Sequence, residues 1–220
     1  MGQKIHPIGF RVGTFIPWKS RWFAEDKSYK ELLLEDIKIR AALMQKLKLA
    51  GITDVEIERL PKNMVVIMTV SRPGVVIGRG GTGIEDVKRF VLEIIRNTRG
   101  LKQQELKDLK IDLRVNELKN PEISAQLVAG RIAAELERRL PHRRVVARTA
   151  DRVMQSGALG VKIVLSGRIG GTEIARREKY HKGSVPTQSL REEIDYAQIP
   201  ALLKRGYVGI KVWVHTKKEG

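Results

Sequence analysis

The chain has 220 residues, an apolar content of 42% and a large excess of positive charge. Its 42 lysines and arginines stand against 25 acidic residues, which gives a formal net charge of +17. Such a surface attracts polyanions, because neutralising phosphates releases their condensed counterions. Nucleic acid is therefore the leading partner class, ahead of an anionic membrane and of charge that serves solubility alone.

The sequence contains no cysteine, which excludes disulfides, cysteine-based zinc sites and thiol catalysis. No apolar run approaches the roughly twenty residues that a membrane span needs. The segment from Met1 to Phe10 lacks the continuous apolar core of a signal peptide. These features predict a location in the cytoplasm, or in the equivalent compartment of an organelle, and no membrane partner.

Residues 1–24 are predicted to form a basic N-terminal arm. The stretch from Gly2 to Phe23 contains four cations and no acidic residue, with glycine, proline and aromatic residues between them. Disordered tails seldom carry that much aromatic surface, so we expect an arm that orders against a partner. Lys4 and Arg11 are its candidate RNA contacts.

Residues 25–118 predict a compact α+β domain. Ser28 and Glu31 match a capping box that opens a helix. The apolar face of that helix is predicted from helical spacing to comprise Leu33, Ile37, Ala41, Met44 and Leu47. The elements that follow are a strand, a second strand at Met64 to Val70, a short helix, a glycine loop, a helix and a third strand.

Residues 119–220 predict a second α+β domain, with two helices packed on one face of a mostly antiparallel sheet. The first helix is expected to end at Leu140, and the second to run from about His142 to Ser156. Four candidate strands follow: Val161 to Ser166, Glu173 to Tyr180, Ser189 to Tyr196 and Val208 to Val214.

The glycine cluster from Gly78 to Gly83 fits two motifs. One is the dinucleotide-binding fingerprint, which requires a strand leading directly into it and an acidic residue after the next strand. Pro73 and Gly74 interrupt that lead-in, and a basic residue lies near where the ribose-binding acid is sought. The cofactor interpretation is therefore disfavoured, and no cofactor is expected.

The other motif is the GxxG loop of KH domains, which clamps single-stranded nucleic acid along its backbone. Glycine lets the backbone approach phosphate, and a helix N-terminus with free N–H groups follows directly. Val75 to Ile77 are expected to help line a groove for bases. The alternative is a structural turn that touches no RNA. The candidate contacts in this loop are Gly78, Arg79, Gly80 and Gly81.

An arginine row is predicted on the second helix of the C-terminal domain. Arg144, Arg148 and Arg152 are four residues apart and share a helical face, with Arg143 beside them. Arginine suits phosphate because its planar guanidinium can donate two hydrogen bonds at once. Asp151 is expected to pair with Arg148, and the alternative to RNA binding is a solvated amphipathic face.

A second basic set lies in the strands and loops that follow this helix, and it includes two further candidate RNA contacts, Arg168 and Arg176. Together with the arginine row it is expected to make a continuous positive groove. The set comprises Arg168, Arg176, Arg177, Lys179 and Lys182.

No catalytic or metal site is visible in the sequence. The four histidines lack metal-ligand spacing, no Walker sequence is present, and Ser166 and Ser184 lack a nucleophile-elbow setting. The chain is therefore predicted not to be an enzyme.

Four segments carry distinctive motifs: Met1 to Gly13, Arg72 to Gly78, Ser166 to Arg176 and Gly206 to Trp213. In order and content they resemble the family of the bacterial-type small-subunit ribosomal protein three. The resemblance covers nearly the whole chain, and the third segment, SGRIGGTEIAR, is highly specific.

The resemblance implies a type II KH domain and a family-specific C-terminal domain on the head of the small ribosomal subunit. It implies contacts with small-subunit rRNA and a share of the mRNA entry channel. It also implies packing against small-subunit proteins ten and fourteen, with proteins four and five near the channel. At the positions of Arg143 and Arg144, arginines of the family face incoming mRNA and help to open its secondary structure. At the next position where the family is expected to carry a basic residue, this sequence has Ala147, with Arg148 adjacent.

The expected function is therefore that of a ribosome-bound structural protein that binds rRNA and mRNA. The alternative is a free-standing KH-domain protein of RNA processing or decay.

Overall fold

The computed structural model describes residues 4–14, 16–60, 63–99 and 110–216. The chain begins with a short helix, α1 (Pro7–Arg11), and divides into two compact units. One unit is Trp18–Lys119, and the other joins Met1–Pro17 to Asn120–Gly220. The division at Pro17 falls within the predicted arm, so α1 belongs to the same unit as the C-terminal domain.

The Trp18–Lys119 unit has a four-stranded mixed sheet in the order β1-β2-β3-β4. β2 and β3 are antiparallel, whereas β1 runs parallel to β2 and β4 runs parallel to β3. From the long helix onwards the predicted order of elements, that of a KH domain, is confirmed, whereas β1 lies within the predicted arm and was not predicted. The elements are β1 (Ser20–Arg21), α2 (Asp26–Lys46), β2 (Ile52–Arg59), β3 (Asn63–Val70), α3 (Pro73–Ile77), α4 (Thr82–Arg99) and β4 (Lys110–Glu117).

The core of this unit lies between the sheet and the helices α2 and α4. Helix α4 buries Val87, Val91 and Ile95, which are spaced four residues apart and so share one face. β3 directs alternate residues, such as Val66 and Met68, into the same cluster. Burial of each such side chain contributes about 1.5–3 kcal/mol to stability.

Helix α2 buries only the C-terminal part of the predicted face: Leu47 is buried and Met44 packs against the core, but the earlier positions are exposed. Leu33 and Ile37 are 37% and 52% exposed, whereas Ile39 and Leu43 are fully buried. The predicted capping box is also wrong, because the helix already begins at Asp26 and the Ser28 hydroxyl donates to the Glu25 carbonyl (2.9 Å).

The face that α2 buries includes two carboxylates, Glu35 and Asp36, both completely shielded from solvent. Asp36 accepts hydrogen bonds from Ser20 Oγ (2.7 Å), Trp22 Nε1 (2.8 Å) and the guanidinium of Arg59 (2.6 and 2.9 Å). Glu35 accepts from Arg59 Nη1 (2.9 Å) and from Arg99 at the end of α4. These bonds satisfy the buried charges and tie α2 to β1, β2 and α4.

The second unit has an antiparallel sheet in the order β6-β5-β8-β7, with two helices packed on one of its faces. Its predicted architecture is confirmed. The elements are α5 (Ala125–Glu137), α6 (His142–Gln155), β5 (Gly160–Gly167), β6 (Arg176–Gly183), β7 (Ile194–Leu203) and β8 (Gly206–His215).

Several boundaries of this unit differ from the predicted ones: β6 is Arg176–Gly183 rather than Glu173 to Tyr180, and β7 begins at Ile194 rather than Ser189. Two further differences have identifiable reasons. Helix α5 ends before Leu140 because Arg139 takes a left-handed conformation, with φ = 62°. β7 continues beyond Tyr196 through Pro200, which is tolerated because β7 is an edge strand of the sheet. Within the described ranges, no helix is long and apolar enough to cross a membrane.

We predict that Asp36→Asn destabilises the Trp18–Lys119 unit by about 1.5–3 kcal/mol, because the buried Arg59 loses one of its two charge partners and keeps only Glu35. Hydrogen exchange of the β2 and β3 amides in the full chain measures this loss. Glu93→Gln, a matched change at an exposed site of α4, is expected to alter protection by less than about 0.5 kcal/mol. Equal protection in Asp36→Asn and the parent chain would show that the buried pair is dispensable.

Candidate nucleic-acid interface

The GxxG loop joins α3 to α4 through a single 3-10 turn, Arg79–Gly81. Gly78, Gly80 and Gly81 have φ angles of 69°, 63° and 82°, a region that favours glycine. Gly83 is required for a different reason: a Cβ there would lie 2.4 Å from the carbonyl oxygen of Val76. The glycines therefore permit a turn tight enough to bring α3 against the start of α4.

The loop presents backbone and one cation to solvent. Gly78, Arg79 and Gly80 are exposed, and within the described residues Arg79 forms no ion pair. The prediction that Val75 to Ile77 all line a groove for bases is wrong for Val76, which is buried in the core at 1% exposure. Only Val75 and Ile77 remain exposed beside the loop, at 54% and 39%.

Helix α6 carries the arginine row on its outer face. Its inner face packs into the core through a set of small and β-branched residues: Val145, Val146, Thr149, Ala150 and Val153. Arg143, Arg144, Ala147 and Arg148 are exposed on the other side. The packing holds the backbone beneath the arginines, so their guanidinium groups project from a fixed base.

Ion pairing distinguishes the members of this row. Arg148 Nη2 lies 2.7 Å from Glu135 Oε2 on α5. The predicted Asp151–Arg148 pair is wrong, because Asp151 pairs instead with Lys182 on β6. In the described part of the chain, Arg143 and Arg144 form no ion pair, so they are the members most available to an external phosphate.

Glu178 on β6 gathers three side chains beside the start of α6. It accepts from Tyr180 Oη (2.5 Å), and its carboxylate lies 2.9 Å from Arg176 Nε and 3.1 Å from His142 Nε2. The Tyr180 hydrogen bond lowers the pKa of Glu178. Burial, followed by the bond to Glu178, raises the pKa of Tyr180 to about 12. Glu178 was not among the predicted site residues, although strand alternation puts residues 176, 178 and 180 on one side.

The second basic set does not form the continuous groove that was predicted. Alternation along β6 puts Arg176 and Lys182 on the helix side of the sheet, whereas Arg177 and Lys179 lie on the opposite face. Arg168 is half-buried, and its Nε donates to the Thr172 carbonyl (2.9 Å) across the turn that precedes β6.

The two arm residues have different environments. Lys4 is exposed, whereas Arg11 is completely buried. The Arg11 guanidinium donates to the carbonyl oxygens of Glu192 (2.8 Å), Ser189 (2.8 Å) and Pro7 (3.0 Å). Arg11 is therefore not a candidate RNA contact: it fastens α1 to the loop before β7.

Two family models match the chain in separate regions. Residues 38–123 match the KH domain, and residues 132–214 match the C-terminal domain of ribosomal protein S3. Over 215 residues the chain is 45% identical to the small ribosomal subunit protein uS3 of Persephonella marina. The aligned region covers 98% of this chain and 90% of the relative. The chain belongs to the uS3 family. The uS3 protein of Caldicellulosiruptor saccharolyticus is also 45% identical, over 98% of this chain and 92% of its own length.

Membership of the uS3 family makes this chain a structural component of the small ribosomal subunit. The predictions that it is a ribosome-bound RNA-binding protein with a KH domain, and that it is not an enzyme, are confirmed. Within the described residues, no group of histidine and acidic side chains is arranged to hold a metal ion.

We predict that Gly83→Ala destabilises the GxxG loop by about 1–3 kcal/mol, because the added Cβ collides with backbone that cannot move aside. Gly74→Ala is the matched control, since a Cβ at Gly74 meets no atom within 4 Å. Hydrogen exchange in the first turns of α4 reports the difference. Equal protection in both variants would mean that the loop relaxes without cost.

We also predict that Arg11→Lys loosens α1 by about 1–3 kcal/mol, because one ammonium group cannot reach all the carbonyls that the guanidinium satisfies. Limited proteolysis between α1 and β1 detects the loosening. The exposed Arg191 lies in the adjoining loop, and Arg191→Lys is expected to leave the cleavage rate unchanged. A normal rate in Arg11→Lys would contradict the anchoring role.

Proposed function

We propose that this uS3 protein binds small-subunit rRNA and forms part of the wall of the mRNA entry channel, where α6 offers Arg143 and Arg144 to the message. The observation that carries the proposal is the contrast in pairing along α6. Arg143 and Arg144 are exposed and form no ion pair within the described chain, whereas Arg148 is held by Glu135.

Two adjacent guanidinium groups on a rigid helix favour an opened RNA strand in two ways. Each can donate a bidentate pair of hydrogen bonds to a phosphate, and each planar group can stack on an unpaired base. Only the second contact discriminates against duplex, whose bases are already stacked. The proposed role in unwinding is therefore passive: the arginines stabilise single-stranded mRNA after it has opened.

Arg148 is a poor substitute for the cation that Ala147 lacks. Ala147 is four residues after Arg143 and so extends its stripe, whereas Arg148 extends the stripe of Arg144. The ion pair with Glu135 also partly neutralises Arg148. We infer that this chain holds mRNA with two cations on α6 where other members of the family use three.

The GxxG loop is proposed as a contact for RNA backbone, with Gly78, Arg79, Gly80 and Gly81 as its binding residues. The exposed backbone supports this role, as does Arg79, which forms no ion pair with any described residue. Lys4 is proposed as a contact in the arm, and Arg168 and Arg176 as secondary contacts, because intramolecular bonds already restrain both arginines.

The outer face of α2 supports the proposed packing against small-subunit proteins ten and fourteen. Leu33, Leu34 and Ile37 are 37%, 45% and 52% exposed on neighbouring turns of one helix. Clustered exposed apolar side chains mark protein interaction surfaces more often than RNA surfaces. Proteins four and five are proposed as neighbours near the mRNA entry channel, and the cytoplasm, or the equivalent compartment of an organelle, as the location of the ribosome-bound protein.

We predict that Arg143→Ala combined with Arg144→Ala leaves co-sedimentation with small subunits intact but slows translation through a hairpin at the channel entrance. Loss of about 1–2 kcal/mol of strand binding would change the opening equilibrium about 5- to 30-fold. Single-ribosome translation rates on hairpin and unstructured messages measure the effect.

Two single variants on the same helix serve as controls. Arg148→Ala is expected to have a smaller effect, because Glu135 already restrains that guanidinium. Ala147→Arg should speed passage through the hairpin by restoring a third cation. Normal hairpin rates in the double variant, with assembly intact, would refute the entry-channel role.

A further inference from the structure

The C-terminal sheet has a second face that neither α5 nor α6 covers, because both helices pack against the opposite side. Alternation along each strand sends Lys162 of β5, Arg177 and Lys179 of β6, and Lys211 of β8 to this open face. Lys4 of the arm joins them, since its charge acts on Lys162. We call these five cations the open-face cluster.

The strand register places the cluster within a compact area. Lys179 and Lys211 flank Val164 in one cross-strand row, and the next row along the strands contains Lys162. Neighbouring strands are about 4.8 Å apart, so these cations lie within roughly 10–15 Å of one another. Lys162 Nζ is 5.3 Å from the centre of the Trp213 ring, which supports it from below.

The charges of the cluster are not balanced within the described chain. None of its five members forms an ion pair there, although Arg176 and Lys182 on the other side of the same strand pair with Glu178 and Asp151. Burial lowers the pKa of Lys162, and the charges of Lys4, Lys179 and Arg177 lower it further. Like charges that lie close together on one face repel one another, so a bound external anion would relieve this repulsion.

The end of this face where β5 stops and β6 starts suits an extended polyanion. Arg177 stands opposite Ser166, which stands opposite Gly209, so this row has small side chains over which a phosphodiester backbone can pass closely. An acidic protein partner would instead need an apolar anchor at the centre of its interface. Trp213, the large aromatic residue beneath the cluster, is only 8% exposed and offers no such anchor.

We propose that the open-face cluster is a second RNA-binding surface, which holds an RNA strand through its phosphates. It rests on the proposed RNA binding of this protein but uses the face of the sheet opposite to α6. The surface is expected to bind RNA independently of its base sequence, because contacts to phosphates do not distinguish between bases. Its contribution therefore depends steeply on salt.

The test compares the full-length chain with the triple variant Arg177→Gln, Lys179→Gln and Lys211→Gln. Affinity for a mixed-sequence single-stranded RNA is measured over a range of salt concentrations. Loss of three phosphate contacts should weaken binding several-fold at low salt and reduce the log–log salt slope by about 2. The same triple variant should raise the Tm of the free protein slightly, because the like charges no longer repel one another.

A second triple variant, Lys30→Gln, Lys48→Gln and Lys110→Gln, removes the same charge from exposed sites outside this sheet. It is expected to change the slope far less and to leave the Tm of the C-terminal unit unchanged. Equal losses in the two triples would overturn the proposal in favour of general charge attraction. Undiminished RNA binding in the open-face triple, together with lost binding of poly-glutamate, would overturn it in favour of an acidic protein partner.

The open-face triple is also combined with Arg143→Ala and Arg144→Ala. If the entry-channel role fails but the open-face cluster binds RNA, the slope still drops by the same amount in this background. If only the open-face cluster does not bind RNA, the double variant still slows translation through the hairpin. The open-face triple then leaves the salt slope of RNA binding unchanged.

Discussion

Pairing between arginine and carboxylate organises both units of this protein and decides which cations are left over. In the Trp18–Lys119 unit, Arg59 bridges Glu35 and Asp36, so two buried charges become the connection between α2 and the sheet. In the other unit, Glu135 and Glu178 hold Arg148 and Arg176 against the fold. In this positively charged chain, these acidic residues thus pair with particular arginines and fix them to the fold.

The consequence is that net charge alone is a poor guide to RNA contacts. Arg11 and Arg143 are both arginines in basic stretches, but one is wholly buried among carbonyl groups and the other is exposed without an ion pair in the described chain. The difference is energetic. A guanidinium whose donors already have carbonyl partners gains little binding free energy from a phosphate. An exposed guanidinium only has to give up hydrogen bonds to water when it binds a phosphate. The availability of hydrogen-bond donors, rather than sequence context, separates structural cations such as Arg11 from cations that are available to a ligand.

A division of labour between surfaces follows from the same reasoning. Helix α6 offers adjacent arginines with forked donors, which suits close contact with individual phosphates and bases. The open-face cluster offers mostly lysines on a flat sheet, which suits sequence-independent attraction of a strand. The apolar outer face of α2, with Leu33 and Ile37 exposed, suits a protein neighbour instead. The α6 arginines, the open-face cluster and the outer face of α2 thus suit three different kinds of contact.

The sequence by itself determined the order of elements, the KH and C-terminal architectures and the family. Periodicity, glycine spacing and the SGRIGGTEIAR segment are local features, which can be recognised without knowing which residues are neighbours in space. Tertiary structure alone decided the buried face of α2, because burial of Glu35 and Asp36 depends on Arg59 and Arg99, which are distant in sequence. It likewise decided the burial of Arg11 and the partner of Arg148, since a charged side chain reveals its role only when its neighbours in space are known.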